Sequence, residues 1–427
     1  MEERESYFAR KYREIFLIND CRAAPLPLRK VSSVKEAITE KFRLAALLKS
    51  ERMLDDWAVT ETAWKSPKRF RSGSFEFEYG YQRADLSVYG PAVYEALRDI
   101  PDAHTIYTAS GMSAMAVLMS AVQRLKRHAD VVMFPGSYAE TLELIDSEAQ
   151  LRRIDYRDLE ARRRGGVRML LLDSSVPRDF FRFLSMPARN YALAVFDTTC
   201  FWHGSGRIRR VIAWARQNAL PLALVRSHAK LDCLGVEYGR LGSIVLVLPP
   251  DSAFSKSLPE AIAAFVRLTG AAPLPAHFPP FIGARAYEAL SIARMAAIIR
   301  SSRRMYRVLA PALSSSGTVT PFQHGLYLTL APRRPLDLDE AKAIAAELAS
   351  YLAATVLPVR HAGSFGFDFI AIEWFHVADA ADYAVRVTAP DLPCALVDEA
   401  SALIAEWWNA RFGARAKKPL PDTAVTS

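Results

Sequence analysis

The chain has 427 residues, 51% hydrophobic, 11% aromatic and 24% charged, the balance of a folded globular protein and not of a disordered or membrane-spanning chain. Its 55 Lys+Arg against 46 Asp+Glu give a net charge of +9, but the cations lie in short scattered clusters, RRRGGVR from Arg162, RRMYR from Arg303 and KRFR from Lys68. These read as solvated faces with room for a small anion, and nucleic-acid binding is not expected. The four cysteines, Cys21, Cys200, Cys233 and Cys394, share no disulfide-scaffold or metal-ligand spacing, so a reducing compartment and no metal site are expected.

The N-terminal stretch MEERESYFARKYREIF is densely charged and has no apolar core of a signal segment, and no apolar run approaches a bilayer span, which predicts a cytoplasmic protein without membrane contact. Residues 1–75 read as a helical arm. Across 76–265, short apolar runs recur at DVVMF (Asp130 to Phe134), RMLLLD (Arg168 to Asp173), ALAVFD (Ala192 to Asp197), PLALVR (Pro221 to Arg226) and SIVLVL (Ser243 to Leu248). Helical patterns such as IRRVIAWARQNA lie between several of them, and strands alternating with helices predict a large α/β domain with a mostly parallel, covered sheet. Ligands of such sheets bind beyond the carboxyl ends of the strands.

The Pro/Gly-rich stretch TGAAPLPAHFPPFIGA and the long helical pattern RAYEALSIARMAAIIRSSRRMYRVL introduce a C-terminal α+β domain, 266–412. It reads as strand GLYLTLAP, helix LDEAKAIAAELASYLAA, strand YAVRVTAP and helix LVDEASALIAEWWNARF, a layer with few strands. Residues 413–427 read as a frayed tail.

Lys230, in RSHAKLDCLG, follows the buried-strand pattern PLALVR. A lysine so placed is expected to be buried, and losing solvation makes its neutral amine easier to populate, as imine chemistry with a carbonyl cofactor requires. Asp197 ends the preceding strand pattern, where one crossover sets it beside Lys230 and its carboxylate can keep a pyridine nitrogen protonated. Ser110 and Gly111 precede a helical stretch, whose free N–H groups suit a phosphate. Each residue alone has a commoner structural role, as a snorkelling lysine or a helix cap. HGSGRIRR lacks the third glycine of a dinucleotide fingerprint, so NAD is not expected. His203, after Asp197, is a candidate substrate contact.

In this order the pieces resemble the fold-type I pyridoxal phosphate (PLP) enzymes, specifically their Cys/Met-metabolism branch of cystathionine γ-synthase and related lyases. SGMSA resembles that branch's phosphate loop, GYQRADLSVYGP its Tyr-x-Arg segment, FDTTCF its Asp-bearing strand end, SHAK its Ser-x-x-Lys and YAVRVTAP its late arginine strand. The likeness spans Tyr79 to Arg386, most of the chain. It implies PLP as cofactor, with Lys230 forming the internal aldimine and shuttling the α-proton, Asp197 on the pyridinium, and Ser110, Gly111, Met112, Thr199 and Ser227 about the phosphate and ring. Tyr138 would stack on the ring and act in acid/base steps. Tyr81 and Arg83 would reach a neighbouring subunit's phosphate, making a homodimer or homotetramer with shared active sites. Arg386, with Ser364, would bind the α-carboxylate of an amino-acid substrate.

Three stretches depart from the branch. DSSVPRD has no asparagine for the cofactor's phenolic oxygen, Ala229 replaces a hydroxyl residue before the lysine, and GSFGFDF replaces the carboxylate-side loop, keeping only Ser364. The resemblance therefore predicts a divergent enzyme that eliminates or replaces a β- or γ-substituent in specialised amino-acid or natural-product biosynthesis. Its alternatives are an aminotransferase and a non-catalytic PLP-fold binding subunit.

Overall fold

A computed structural model describes residues 2–59, 69–80, 86–98, 100, 103–158, 167–173, 184, 188, 191–250, 253–377 and 383–413. The chain forms two compact units, 8–295, and 1–7 with 296–427. The division falls inside a long helix, Arg285–Ala312.

The larger unit is built on a seven-stranded sheet. In chain order its strands are β4 (Ala103–Thr108), β5 (Ala129–Met133), β6 (Leu151–Asp155), β7 (Val167–Leu172), β8 (Leu193–Asp197), β9 (Leu222–Ser227) and β10 (Gly242–Val247). They lie in the spatial order β4-β10-β9-β8-β7-β5-β6. Strands β5 to β9 pair in parallel, and β10 runs antiparallel to both β9 and β4. The expected α/β class and the five expected strands are present. The antiparallel strand was hidden because β10, buried at every residue, carries the unbroken apolar run of a strand covered on both faces, whatever its direction. Strands β4 and β6 were missed because they are the sheet's edges, where most residues of AHTIYT and LRRID are exposed or only partly buried.

Helices cover both faces. On one, α3 (Gly111–Lys126) and α6 (Ala253–Leu268) bury Met115, Leu118, Val122, Leu258 and Ile262 against Val131, Met169, Val195 and Val225. On the other, α5 (Gly206–Gln217) turns Ile208, Val211 and Trp214 toward Phe196, Leu224 and Val245. The short α4 (Ala139–Ser147) follows β5. Helices α1 (Glu2–Asp20) and α2 (Val34–Val59) open the chain, and Ile15, Ile18, Leu44 and Leu48 pack with Cys233, Leu234 and Tyr238, just beyond Lys230.

The stretch read as a helical arm also contains strand. A separate antiparallel sheet holds β1 (Arg69–Ser72), β2 (Phe75–Tyr79) and β3 (Leu86–Tyr89). Its inward residues Phe75 and Phe77 meet the Phe278 ring at 5.2 and 4.9 Å, so period-two burial outweighs the charges of RFRS and FEFEY. Among the described residues the smaller unit has five strands where few were expected: β11 (Gly317–Pro321), β12 (Tyr327–Pro332), β13 (Val359–His361), β14 (Ile370–His376) and β15 (Tyr383–Thr388), ordered β11-β12-β15-β14-β13. Helices α8 (Leu338–Ala353) and α9 (Cys394–Phe412) complete it; the long helix Arg285–Ala312 is α7.

Two glycines fix how the sheet meets the start of α3. A Cβ on Gly242 would lie 2.1 Å from the backbone oxygen of Ser110, and one on Gly111 would lie 2.8 Å from the Cβ of Ser227. Only a bare backbone fits either approach. Gly242→Ala should destabilise the protein by about 1–3 kcal/mol, an overpacking penalty at an unyielding backbone, measured as a lower urea midpoint at unchanged m-value.

Candidate functional site

Parallel pairing aligns Asp197 with Val225, so β8 and β9 deliver Asp197, Ser227 and Lys230 to one carboxyl edge of the sheet. The Asp197 carboxylate is half-buried, and its Oδ1 accepts from the Thr199 amide at 2.9 Å. Thr199 Oγ1 in turn accepts from the Ser227 amide at 3.0 Å. Thr199 thus ties the aspartate to the strand leading to the lysine.

Lys230 is half-buried, not buried as its strand context suggested. The strand stops at Ser227, and Lys230 opens a short 3-10 turn, Leu231–Cys233, at the rim. Its Nζ stands 5.9 Å from the centroid of the Tyr138 ring. Tyr138 is brought there from the start of α4, where its amide donates to Asp173 Oδ2 at 2.8 Å.

The third part is the start of α3. Ser110 is its N-cap, accepting from the Ser113 amide at 3.0 Å and sharing a 2.9 Å bond with the Ser113 hydroxyl. That leaves the Gly111 and Met112 amides without an intrahelical acceptor, at the positive end of the helix dipole. The close approach of Gly111 to Ser227 sets the start of α3 against the end of β9. Amides, hydroxyls and positive dipole make a cradle for a dianion, while Lys230, Asp197 and the Tyr138 ring offer an amine, a carboxylate and an aromatic face. Ser113 was missed because a serine one turn inside a helix carries no sequence signal of its own.

Behind this edge lies a buried network that the motifs did not reveal. Arg226, 0% exposed, donates to both Asp232 oxygens at 2.7 and 2.5 Å and to the backbone oxygens of Thr198 and Phe201 at 2.9 and 2.8 Å. His228 bridges Asp232 Oδ2 at 2.8 Å and the Ser243 hydroxyl at 2.9 Å, and Tyr287 donates to the Asp232 backbone oxygen at 3.1 Å. Ser243, His228 and Asp232 have the spacing of a hydrolytic triad, but Ser243 is wholly buried in β10 and the carboxylate already serves Arg226. Their role is structural. Burial by itself would raise the Asp232 carboxyl, but the Arg226 charge and hydrogen bonds, with His228, hold it well below the usual carboxylate range. A strand reading "VRS" hid this arginine because one charge at a strand end looks like an exposed terminus.

His203 is buried beside Trp202 and stacked on Tyr287, with ring centroids 4.8 and 6.2 Å away. It lines a cavity of about 320 Å³ with His228, Asp232, Tyr107 and Glu288, whose lining does not include Lys230, Asp197 or Tyr138. Burial lowers its pKa. Tyr81 and Arg83 lie outside the described residues, as does the DSSVPRD stretch beyond Asp173. In the other unit, Arg386 pairs with Glu373 across β14 and β15, and its guanidinium lies 5.1 and 5.0 Å from the Tyr327 and Phe375 ring centroids. The Ser364 amide, at a left-handed φ of 97°, donates to the same Glu373 at 2.9 Å. Ser364 and Arg386 are thus brought together through one carboxylate. Among the described residues no cluster of potential metal ligands occurs, and no helix is long and apolar enough to cross a membrane.

No protein-family model matches the chain, and no curated protein matches it. Solved structures resemble its fold at low identity. Alanine aminotransferase from Pyrococcus furiosus aligns at 12% identity and TM-score 0.48, covering 72% of this chain and 76% of that one. The α-aminoadipate aminotransferase of Thermus thermophilus, complexed with N-(5'-phosphopyridoxyl)-L-leucine, aligns at 14% and 0.48, over 72% and 77%. A structure described as SPT with a PLP internal aldimine aligns at 14% and 0.48, over 74% and 76%.

Two outcomes follow from the network and from His203. Arg226→Met alone should cost about 3–5 kcal/mol by stranding the Asp232 charge, whereas Arg226→Met with Asp232→Leu should recover most of it; urea unfolding of the two variants checks this. An imidazole whose pKa is lower folded than unfolded contributes stability that is full above about pH 6.5 and is lost as pH falls. His277, also lowered mainly by burial, acts in the same direction. The thermal midpoint should therefore drop from about pH 7.5 to about pH 5.5, and His203→Phe should flatten that slope.

Proposed function

We propose that this protein is a PLP-dependent enzyme acting at the α-carbon of an amino acid. The observation that carries the reading is the convergence, at one sheet edge, of Lys230 against the Tyr138 ring, Asp197 linked through Thr199 to Ser227, and the α3 start pressed on Ser227. The seven-stranded α/β sheet agrees with the fold-type I expectation. The residues fit the cofactor: an added Cβ at Gly111 would close the cradle, and Asp197 is half-buried at the rim.

Bound through a lysine, PLP supplies an electron sink for charge left on the α-carbon when a proton departs. In this reading the Gly111 and Met112 amides, with the hydroxyls of Ser110 and Ser227, bind the phosphate. Asp197 would hold a proton on the ring nitrogen, and the Tyr138 ring would pack against the cofactor ring. Lys230 Nζ would be the amine that holds the cofactor's carbonyl carbon and the base placed to take up the α-proton. Arg386, paired with Glu373 in the other unit, stays a candidate receptor for a carboxylate on the strength of the sequence resemblance alone, a task for a planar guanidinium.

Amino-group transfer is the reaction this set completes unaided, since it needs only the cofactor anchors and a proton-moving lysine. Elimination or replacement of a β- or γ-substituent also requires an acid for the leaving group, for which Tyr138 is the candidate. The departures at Ala229 and GSFGFDF remove features specific to the Cys/Met branch and leave those both reactions share, so transfer takes precedence here.

Incubation of the PLP-loaded protein with a panel of amino acids, followed by product mass analysis, tests the reading. A keto acid that keeps the whole side chain, formed together with the amine form of the cofactor, is the expected product; ammonia with a keto acid that has lost its β- or γ-substituent would mean elimination. No turnover of any amino acid would leave the binding-subunit reading. Lys230→Ala should lower turnover by on the order of 10²–10⁴ without unfolding the protein.

A further inference from the structure

The loop after β8 carries Asp197 at its root, and the loop after β9 carries Lys230. We propose that Arg226 is a positioning residue of the proposed active site: by bonding both loops at once, it fixes the separation of Asp197 and Lys230. The inference rests on the functional reading above.

The bonding pattern is what distinguishes this role from simple core filling. Arg226 uses four of its five N–H donors, two on the Thr198 and Phe201 backbone oxygens of the first loop and two on Asp232 of the second. Side chains alternate along a strand, and Ser227 faces Gly111 on the α3 side while Arg226 and His228 turn to the other side. The charge network therefore lies behind the candidate site. A hydrophobic side chain of similar volume would fill the space and keep most of the stability once Asp232 were also replaced. What it could not do is hold two carbonyls of one loop and a carboxylate of the other in one rigid planar fork.

Asp232 is itself held. His228 links it to Ser243 of β10, and Tyr287 of α7 bonds its backbone oxygen. The Cys233 thiol donates to the His228 backbone oxygen at 3.0 Å, and Lys41 of α2 donates to the Leu234 backbone oxygen. The far end of the clamp is thus anchored on three other elements, and Lys230 sits between Arg226 and Asp232 in sequence. Both residues proposed to handle protons are within a few positions of an Arg226 bond.

Two variants of the full chain test this. Arg226→Lys keeps a cation for Asp232 but cannot reach both carbonyls, and Arg226→Met with Asp232→Leu removes the network while keeping an apolar fill. Each is measured for thermal midpoint, for PLP affinity, and for visible circular dichroism per bound cofactor at saturating PLP, which reports how the cofactor is held. The double variant should keep a cooperative thermal transition, bind PLP roughly tenfold more weakly and lose most of the dichroism, with the lysine variant between it and the wild type. Folded variants with wild-type affinity and dichroism would overturn the clamp. Amide exchange separates failure of the clamp from failure of the PLP reading, because it needs no cofactor. Residues 198–202 and 228–234 should exchange as one slow unit in the wild-type protein. Independent exchange of the two loops would overturn the clamp even if the variants fail to fold. Wild-type protein that does not bind PLP but exchanges as one unit would overturn the functional reading and leave the clamp.

Discussion

The larger unit depends on one costly act, the complete burial of a guanidinium at the end of β9. Arg226 is tolerated because Asp232 neutralises it and two backbone oxygens take its remaining well-placed donors, leaving little uncompensated desolvation. Those oxygens belong to the turn after β8 and the carboxylate to the turn after β9. The arrangement gives a rigid edge where loops would otherwise be the most mobile parts of the fold.

A second constraint is the backbone contact between that edge and α3. Gly242 against Ser110 and Gly111 against Ser227 bring a helix start within reach of two strand ends, closer than side chains would permit. The proposed anion cradle would therefore be made largely of main-chain donors, whose positions are set by the sheet and not by rotamers. Ser110 caps α3 through the Ser113 amide and shares a bond with the Ser113 hydroxyl.

Much of this was legible in the sequence because central strands announce themselves. The runs ending in Asp197 and Arg226 are buried almost throughout, and the residues that follow such runs fall at the sheet edge. Strand direction was not legible, since β10 is as apolar as its parallel neighbours. Edge strands β4 and β6 were obscured by exposed polar positions. The burial of Lys230 was overestimated because the strand ends three residues earlier, at Ser227. Arg226, Asp232 and Ser243 were silent because a buried polar group is recognised by its partner, and partners six residues apart (Arg226 and Asp232) and fifteen apart (His228 and Ser243) form no pattern until the strands are aligned. The Glu373 contacts of Arg386 and Ser364 depend in the same way on the register of β14 with β15.

The most direct measurement is reduction of the purified, PLP-treated protein with borohydride, followed by peptide mass mapping. A pyridoxyl group fixed on Lys230, with bleaching of a visible band, is the expected result. A label on a different lysine, or a protein that stays colourless and unlabelled, would contradict the assignment of this sheet edge as a PLP site.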